Sequence, residues 1–172
     1  TWGGRSELRD STAVMDYGSL MFVALQRART AREAIEVMTN PANEYGYASS
    51  GESFSISDPE EVWFMDLIGK TAEDPGAVWV ARKVPDGYVS AHANQARIRQ
   101  FPLDDEDCLY APDVIDFARK MGYYEGPDGE FSFADAYAPA DMGALRFCEA
   151  RVYAMFNRVA PSLGISSDYA RG

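Results

Sequence analysis

The side chains with the greatest capacity for chemistry are concentrated in residues 77–98 of this sequence. Two apolar runs meet there at a Pro-Asp-Gly turn, and the second run ends with His92, Asn94, Gln95 and Arg97. These four residues supply an imidazole, two amides and a guanidinium, groups that donate hydrogen bonds, exchange a proton or hold an anion. Because polar residues at the end of a strand often carry function, we expect a site here.

The two cysteines do not extend this candidate site. Cys108 and Cys148 have a spacing that matches neither a zinc-ligand pattern nor a disulfide framework. Cys108 falls in an acidic loop, and Cys148 falls on the apolar face of a predicted helix, where a thiol is usually part of the core. The cysteines therefore do not indicate whether the protein works in an oxidising or a reducing compartment.

Two helices are predicted to come first among the elements that position these side chains. Apolar residues recur at helical spacing from Tyr17 to Ala28. Thr30-Ala31-Arg32-Glu33 is a capping box, which predicts the start of a second helix that runs through Met38. Asn40-Pro41 is expected to stop that helix.

Four strands are predicted next. Serines alternate with apolar residues within 53–57, and a longer apolar run, 62–68, follows after a turn. The third and fourth predicted strands are 77–84 and 88–93, joined by the Pro-Asp-Gly turn. Because tight turns join successive strands, we expect all four to be antiparallel neighbours in one sheet.

Two further helices are expected after the sheet. One begins near Pro112 and is closed by Gly122, and the other covers roughly 143–159 and is capped by Asp141. Irregular segments are expected at 1–16, 123–138 and 160–172. Helices before and after a continuous antiparallel sheet indicate a layered α+β domain.

Length and charge restrict the class of protein. The chain has 172 residues and 47% hydrophobic content, which suits a single domain over residues 1–172 with a real core. With 27 acidic against 16 basic residues, its net charge of -11 repels phosphate backbones and anionic lipid surfaces. No apolar run approaches the roughly 20 residues that span a bilayer. We therefore expect no nucleic-acid partner and no membrane partner.

Four blocks of the sequence resemble one enzyme family. The chain is similar, over residues 8–161, to the dipeptidase family of N-terminal-nucleophile cysteine hydrolases, distant relatives of the cholylglycine and penicillin V acylases. The resemblance implies an αββα sandwich, of which this chain would be a part, and cleavage of dipeptides without a metal or other cofactor. The blocks are GESFSISDP at 51–59, GAVWVA at 76–81, PDGYVSAHANQARI at 85–98 and LRFCEARV at 145–152.

The resemblance also implies roles for Asn94 and Arg146, and the charges of Arg97 and Glu52 suggest two further roles toward a dipeptide substrate. Asn94 would stabilise the oxyanion of the tetrahedral intermediate or orient the amine of the nucleophile. Arg146 would lie near the nucleophile and favour its thiolate form. Arg97 would hold the substrate carboxylate through a guanidinium fork, and Glu52 would hold the free amino group of a dipeptide.

Each of these residues also has a purely structural interpretation. Asn94 is a common residue where a chain turns after a strand, and Arg97 could pair with surface acids. Arg146 could pair with a nearby carboxylate at helical spacing, and Glu52 could simply be solvated. His92, the sole histidine, is expected to be a hydrogen-bonded structural residue rather than a catalyst.

The nucleophile expected of the family is not found before Tyr17. We therefore expect this chain to be an internal fragment that is inactive alone, with the catalytic cysteine upstream. A proteasome-like use of Thr1 as nucleophile is a minor alternative, because the residues after it are polar and turn-forming rather than strand-like.

A second class of function remains open. The chain could be a non-catalytic α+β module that binds a partner through a sheet edge, either the missing N-terminal segment or a further copy in a homo-oligomer. We expect a cytoplasmic location, although any signal peptide would lie upstream.

Overall fold

The computed structural model describes residues 4–166, so Thr1 and its predicted minor role lie outside the described residues. Helices accompany a single four-stranded antiparallel sheet, which confirms the α+β class. The elements are α1 (Tyr17–Arg27), α2 (Ala31–Tyr45), β1 (Gly51–Ser57), β2 (Val62–Thr71), β3 (Asp74–Lys83), β4 (Cys108–Tyr110), α3 (Val114–Lys120), α4 (Phe133–Tyr137) and α5 (Ala150–Val159), which a π-helical turn at Ala144–Glu149 precedes.

The sheet has the order β1-β2-β3-β4, so β1 and β4 are its edge strands. Its register places Ser53 opposite Asp66 and Phe64 opposite Arg82. Because side chains alternate between the two faces of a strand, one face of β2 carries Phe64 and Asp66, and the other face carries Trp63.

Helices α1 and α2 cover one face of the sheet. Trp63 and Met65 of β2 are fully buried there with Leu20 of α1 and Ile35 of α2. The Thr30 hydroxyl accepts a hydrogen bond from the Glu33 amide at 3.1 Å, as the capping box predicts. The helix pair therefore fixes the orientation of β2 from one side.

Irregular chain and short helices cover the opposite face, which we call the loop face. Val78 and Val80 of β3 pack there in one cluster with Phe101, Phe133 and Tyr137. Helix α4 lies inside the 123–138 segment that we expected to be irregular throughout, so that expectation is wrong in part. The Ser132 hydroxyl accepts a hydrogen bond from the Asp135 amide and caps this short helix.

The predicted strand at 88–93 is wrong, because these residues belong to no strand. The preceding turn is present, with the Tyr88 amide donating to the Pro85 carbonyl at 3.0 Å. However, the edge of β3 is occupied by β4, in which Cys108 pairs with Arg82. The chain after the turn therefore crosses the loop face instead of extending the sheet.

The predicted stop of the second helix at Asn40-Pro41 is also wrong. Helix α2 continues to Tyr45 with Pro41 inside it. Ile35, Met38 and Ala42 are all buried and lie on one helical face. Packing of this face on the sheet stabilises the helix beyond Pro41, although proline has no backbone N–H to donate. Within residues 4–166 no helix is both long and apolar enough to cross a membrane.

Candidate active site

Residues 91–98, which we call the Asn94 loop, lie on the loop face without forming a helix or a strand. A sheet does not pair their backbone polar groups, so partners come from other elements. Four side chains from β1, β2 and the last helical segment anchor the loop. Ser53, Asp66 and Arg151 bond its backbone, and Glu149 pairs with the Arg97 side chain.

Asp66 is the central anchor of the Asn94 loop. It is fully buried in the middle of β2, and its carboxylate accepts the backbone N–H groups of Arg97 and Ile98 at 2.7 and 2.8 Å. The hydroxyl of Ser53, its cross-strand neighbour, donates a third hydrogen bond. Burial raises the pKa of Asp66 to about 6, although all three hydrogen bonds act to lower it.

Asn94 has a left-handed backbone with a φ of 62°, and its side chain is exposed. Its Oδ1 accepts a hydrogen bond from the guanidinium of Arg151 at 2.7 Å, and the same nitrogen donates to the Ala93 carbonyl at 3.0 Å. A guanidinium has no acceptor, so this contact settles which end of the amide faces Arg151. Among the hydrogen bonds of residues 4–166, none uses the Asn94 Nδ2, so its donors are available to a ligand.

Arg151 was not among the residues expected at the site, and Arg146 was. Arg146 is exposed, and its guanidinium lies 5.8 Å from the centre of the Phe147 ring. The ion pairs of the described residues do not include Arg146. The structure therefore brings Arg151, and not Arg146, against the Asn94 amide.

Arg97 and Glu149 form an ion pair, with side-chain exposures of only 18% and 12%. This pair joins the Asn94 loop to the π-helical turn before α5. Gln95, which is buried, adds another tie through its amide N–H₂, which donates to the Ala138 carbonyl at 2.5 Å. The loop is thus fastened directly after Asn94.

Glu52 lies away from these contacts, on the helix side of β1. Its carboxylate accepts the Ser53 amide at 3.1 Å, and the side chain lines a groove of about 630 Å³ between α1 and β1. Glu52 and Ser53 are adjacent in a strand and so point to opposite faces of the sheet. The structure does not bring Glu52 into contact with Asn94.

His92 begins the polar cluster and packs on the sheet. Its Nε2 lies 3.1 Å from the hydroxyl of Ser55, and its ring stacks on Phe64 with 5.2 Å between centroids. Burial lowers the pKa of His92, so the ring is largely neutral at pH 7. These contacts agree with a structural role for this residue.

Both cysteines are buried. Burial raises the pKa of Cys108 to about 11 and also raises the pKa of Cys148. The two thiols therefore stay protonated near neutral pH, which does not suit a nucleophile. Across residues 4–166, no three His, Cys, Asp or Glu side chains are grouped so as to hold a metal ion.

The chain matches the model of a known protein family. The model of peptidase family C69 matches residues 2–169. A protein named probable dipeptidase from Salmonella dublin is 26% identical over 169 residues, which cover 94% of this chain and 37% of that relative.

Two further relatives have similar names. A probable dipeptidase from Latilactobacillus sakei is 32% identical over 52% of this chain and 17% of its own length. A probable dipeptidase A from Streptococcus pyogenes serotype M3 is 33% identical over 57% of this chain and 20% of its own length. The chain thus spans little more than a third of the length of the first relative and a fifth or less of the other two.

Proposed function

Given that this chain belongs to peptidase family C69, we propose that the intact protein hydrolyses dipeptides with an N-terminal cysteine supplied by polypeptide outside these 172 residues. An N-terminal cysteine combines a thiolate nucleophile with an amine that can move protons. Neither buried thiol of the chain is suited to that role. The chain alone is accordingly expected to be inactive.

The proposed reaction proceeds through a thioester. The thiolate attacks the peptide carbonyl, and the resulting oxyanion collapses as the amine of the departing amino acid takes a proton from the nucleophile's own ammonium group. Water then gives one proton to the nucleophile's amine as it adds to the thioester carbonyl. Cleavage of the C–S bond releases the second amino acid as its carboxylate, and the sulfur takes the other proton as a thiol. The developing oxyanion needs a fixed donor at both steps.

Asn94 supplies this donor in the proposal. The observation that carries the assignment is the contact of Arg151 with Asn94 Oδ1 at 2.7 Å, because it fixes the amide by its oxygen and leaves the Nδ2 donors unused. Asp66 supports the assignment by holding the two amides that follow the loop's turn. A donor that is oriented before substrate arrives costs no reorganisation during the reaction.

Arg146 and Arg97 also have roles in the proposal. Arg146, exposed before α5, would favour the thiolate form of the cysteine. Arg97, whose guanidinium Glu149 holds in place, would add positive charge beside the substrate carboxylate. Glu52 lies on the other face of the sheet and is given no role at this site. Replacing Arg146 with glutamine should then shift the acidic limb of the pH-rate profile upward, because the thiol would ionise at higher pH.

Substitutions at Asn94 test the proposal. In the intact protein, Asn94→Ala should lower kcat for a dipeptide by about 100- to 1,000-fold, as expected for loss of one oxyanion donor. Asn94→Asp keeps an acceptor for Arg151 but has no donor, so it should lose as much. Asn157→Ala on α5 is the matched control and should retain full activity. Near-normal kcat in Asn94→Asp would remove the oxyanion role.

A second candidate function rests on the free edge of β1. This seven-residue strand pairs only with β2 in the sheet of the described residues, and the groove beside it includes the exposed apolar side chains of Tyr17, Met21 and Leu25. A strand from the rest of the polypeptide could extend the sheet here. Hydrogen exchange of the β1 amides should then be slower in the intact protein than in the isolated chain. If the intact protein has no N-terminal cysteine and cleaves no dipeptide, this binding function replaces the enzymatic one.

A further inference from the structure

A pocket of about 430 Å³ opens beside the Asn94 loop, at the end of β3. Phe64 and Ile98, both nearly buried, line it together with Tyr88 and Val89, which are strongly exposed. Arg97 lines it as well, three residues after Asn94. The pocket therefore offers an apolar surface directly next to the candidate active site.

The charge of this pocket is opposite to that of the chain. Its lining includes four cationic side chains and no carboxylate, whereas the whole chain has a net charge of -11. A concave surface with charges of one sign concentrates the field and attracts ions of the opposite sign. The four cations are Arg82, Lys83, Arg97 and Arg99.

Arg82 is the cation that remains available. The other three already face carboxylates, in the ion pairs of Lys83 with Glu61 and Asp107, of Arg97 with Glu149 and of Arg99 with Asp135. The Arg82 side chain is exposed and takes part in no side-chain hydrogen bond or ion pair among residues 4–166. Its position opposite Phe64 in the sheet register puts it on the loop face, above the apolar floor.

We propose that this pocket binds a carboxylate attached to an apolar group, with the guanidinium of Arg82 as the main anion contact. Guanidinium and carboxylate match as two parallel hydrogen bonds, and the apolar group would cover Phe64 and Ile98. Resting on the proposed dipeptidase activity, the natural ligand is the C-terminal residue of a peptide with an apolar side chain. Free phosphate has no apolar part to use this floor.

Two blocked amino acids test the pocket without requiring turnover. N-acetylphenylalanine carries the carboxylate and the ring, and N-acetylphenylalaninamide differs only in lacking the charge. In calorimetric titrations of the intact protein, the acid should bind at least about tenfold more tightly than the amide, and the difference should shrink as salt is raised. Equal affinities, or tighter binding of inorganic phosphate than of the acid, would overturn the assignment.

Two variants with the same change in charge identify the residue. Arg82→Gln should abolish the preference for the acid, whereas Arg158→Gln, exposed on α5 and outside the pocket, should keep it. Thermal unfolding of both variants checks that they fold. A preserved preference in Arg82→Gln overturns the proposal. Acid preference in a protein that cleaves no dipeptide leaves the pocket in place and removes the proposed function instead.

Discussion

Replacing Asp66 with asparagine removes the charge at the centre of the Asn94 loop's support with little change in shape. The carboxylate is fully buried and accepts hydrogen bonds from the amides of Arg97 and Ile98 and from the hydroxyl of Ser53. Asparagine keeps an oxygen acceptor for the amides but does not titrate. The variant therefore isolates the cost of ionising this group inside the protein.

The expected effect follows from the pKa of Asp66, which burial raises from 3.8 to about 6. Below pH 3.8 the carboxyl is protonated in both the folded and the unfolded chain, so it favours neither. Between these values the unfolded chain releases its proton first, so the free energy of unfolding falls as the pH rises. Above pH 6 the loss is complete, and a difference of about two pKa units corresponds to about 3 kcal/mol.

Urea unfolding at several pH values between 4 and 8 measures this effect. Other carboxylates also titrate in this range, but they are the same in both proteins and cancel in the difference. The free energy of unfolding of the wild type minus that of Asp66→Asn should fall by about 2.4 kcal/mol from pH 4 to pH 7. Asp116→Asn, which removes an exposed carboxylate on α3, is the control variant. A difference that rises with pH would mean that the three hydrogen bonds outweigh burial, and would refute the reasoning.

Two further predictions concern stability at single positions. Tyr137→Phe removes a buried hydroxyl that donates to the Val114 carbonyl and should lower the free energy of unfolding by about 1 kcal/mol, measured by urea titration. Gly46→Ala should cost at least about 2 kcal/mol, because φ and ψ of 74° and 163° suit only glycine and the new Cβ would lie 2.8 Å from Ala13. Gly129→Ala meets open space and should be nearly neutral in the same assay.

Regular elements with a clear period were predictable from the sequence. The serine and apolar alternation located β1, and the apolar run at 62–68 located most of β2. The capping box located the start of α2, because its hydrogen bonds are local: the Glu33 carboxylate also accepts the Arg29 amide at 2.7 Å. Sequence patterns that depend on hydrogen bonds between neighbouring residues predict local structure well, because distant parts of the chain do not alter those bonds.

The fourth strand was not predictable, because distant pairing decides it. Residues 88–93 have a strand-like pattern, yet β3 pairs with Cys108–Tyr110 instead. A three-residue strand is too short to show an alternation in sequence. Helix α2 passed Pro41 for a similar reason, since the packing of a whole face outweighs one missing hydrogen bond.

The candidate site was predictable only at its centre. Asn94 stood out in a polar cluster and in the family resemblance, but Arg151, which orients it, is 57 residues away. Asp66 was hidden in an apolar run, although a carboxylate in a buried strand is itself a signal, since it must find donors on folding. Residues that contact the site from distant parts of the sequence do not form a motif with a recognisable spacing.

The free energies involved show that a contribution to stability does not by itself explain why an aspartate lies at position 66. Its ionisation inside the protein costs about 3 kcal/mol at neutral pH. An apolar residue there would avoid that cost but leave the Arg97 and Ile98 amides without their acceptor, at roughly 1–3 kcal/mol each. The cost of ionising the aspartate is similar to the cost of leaving two amides without an acceptor, so the aspartate contributes little net stability. What it does contribute is a fixed path for a loop that no strand supports, and in the proposed mechanism this path gives the Asn94 amide a constant direction.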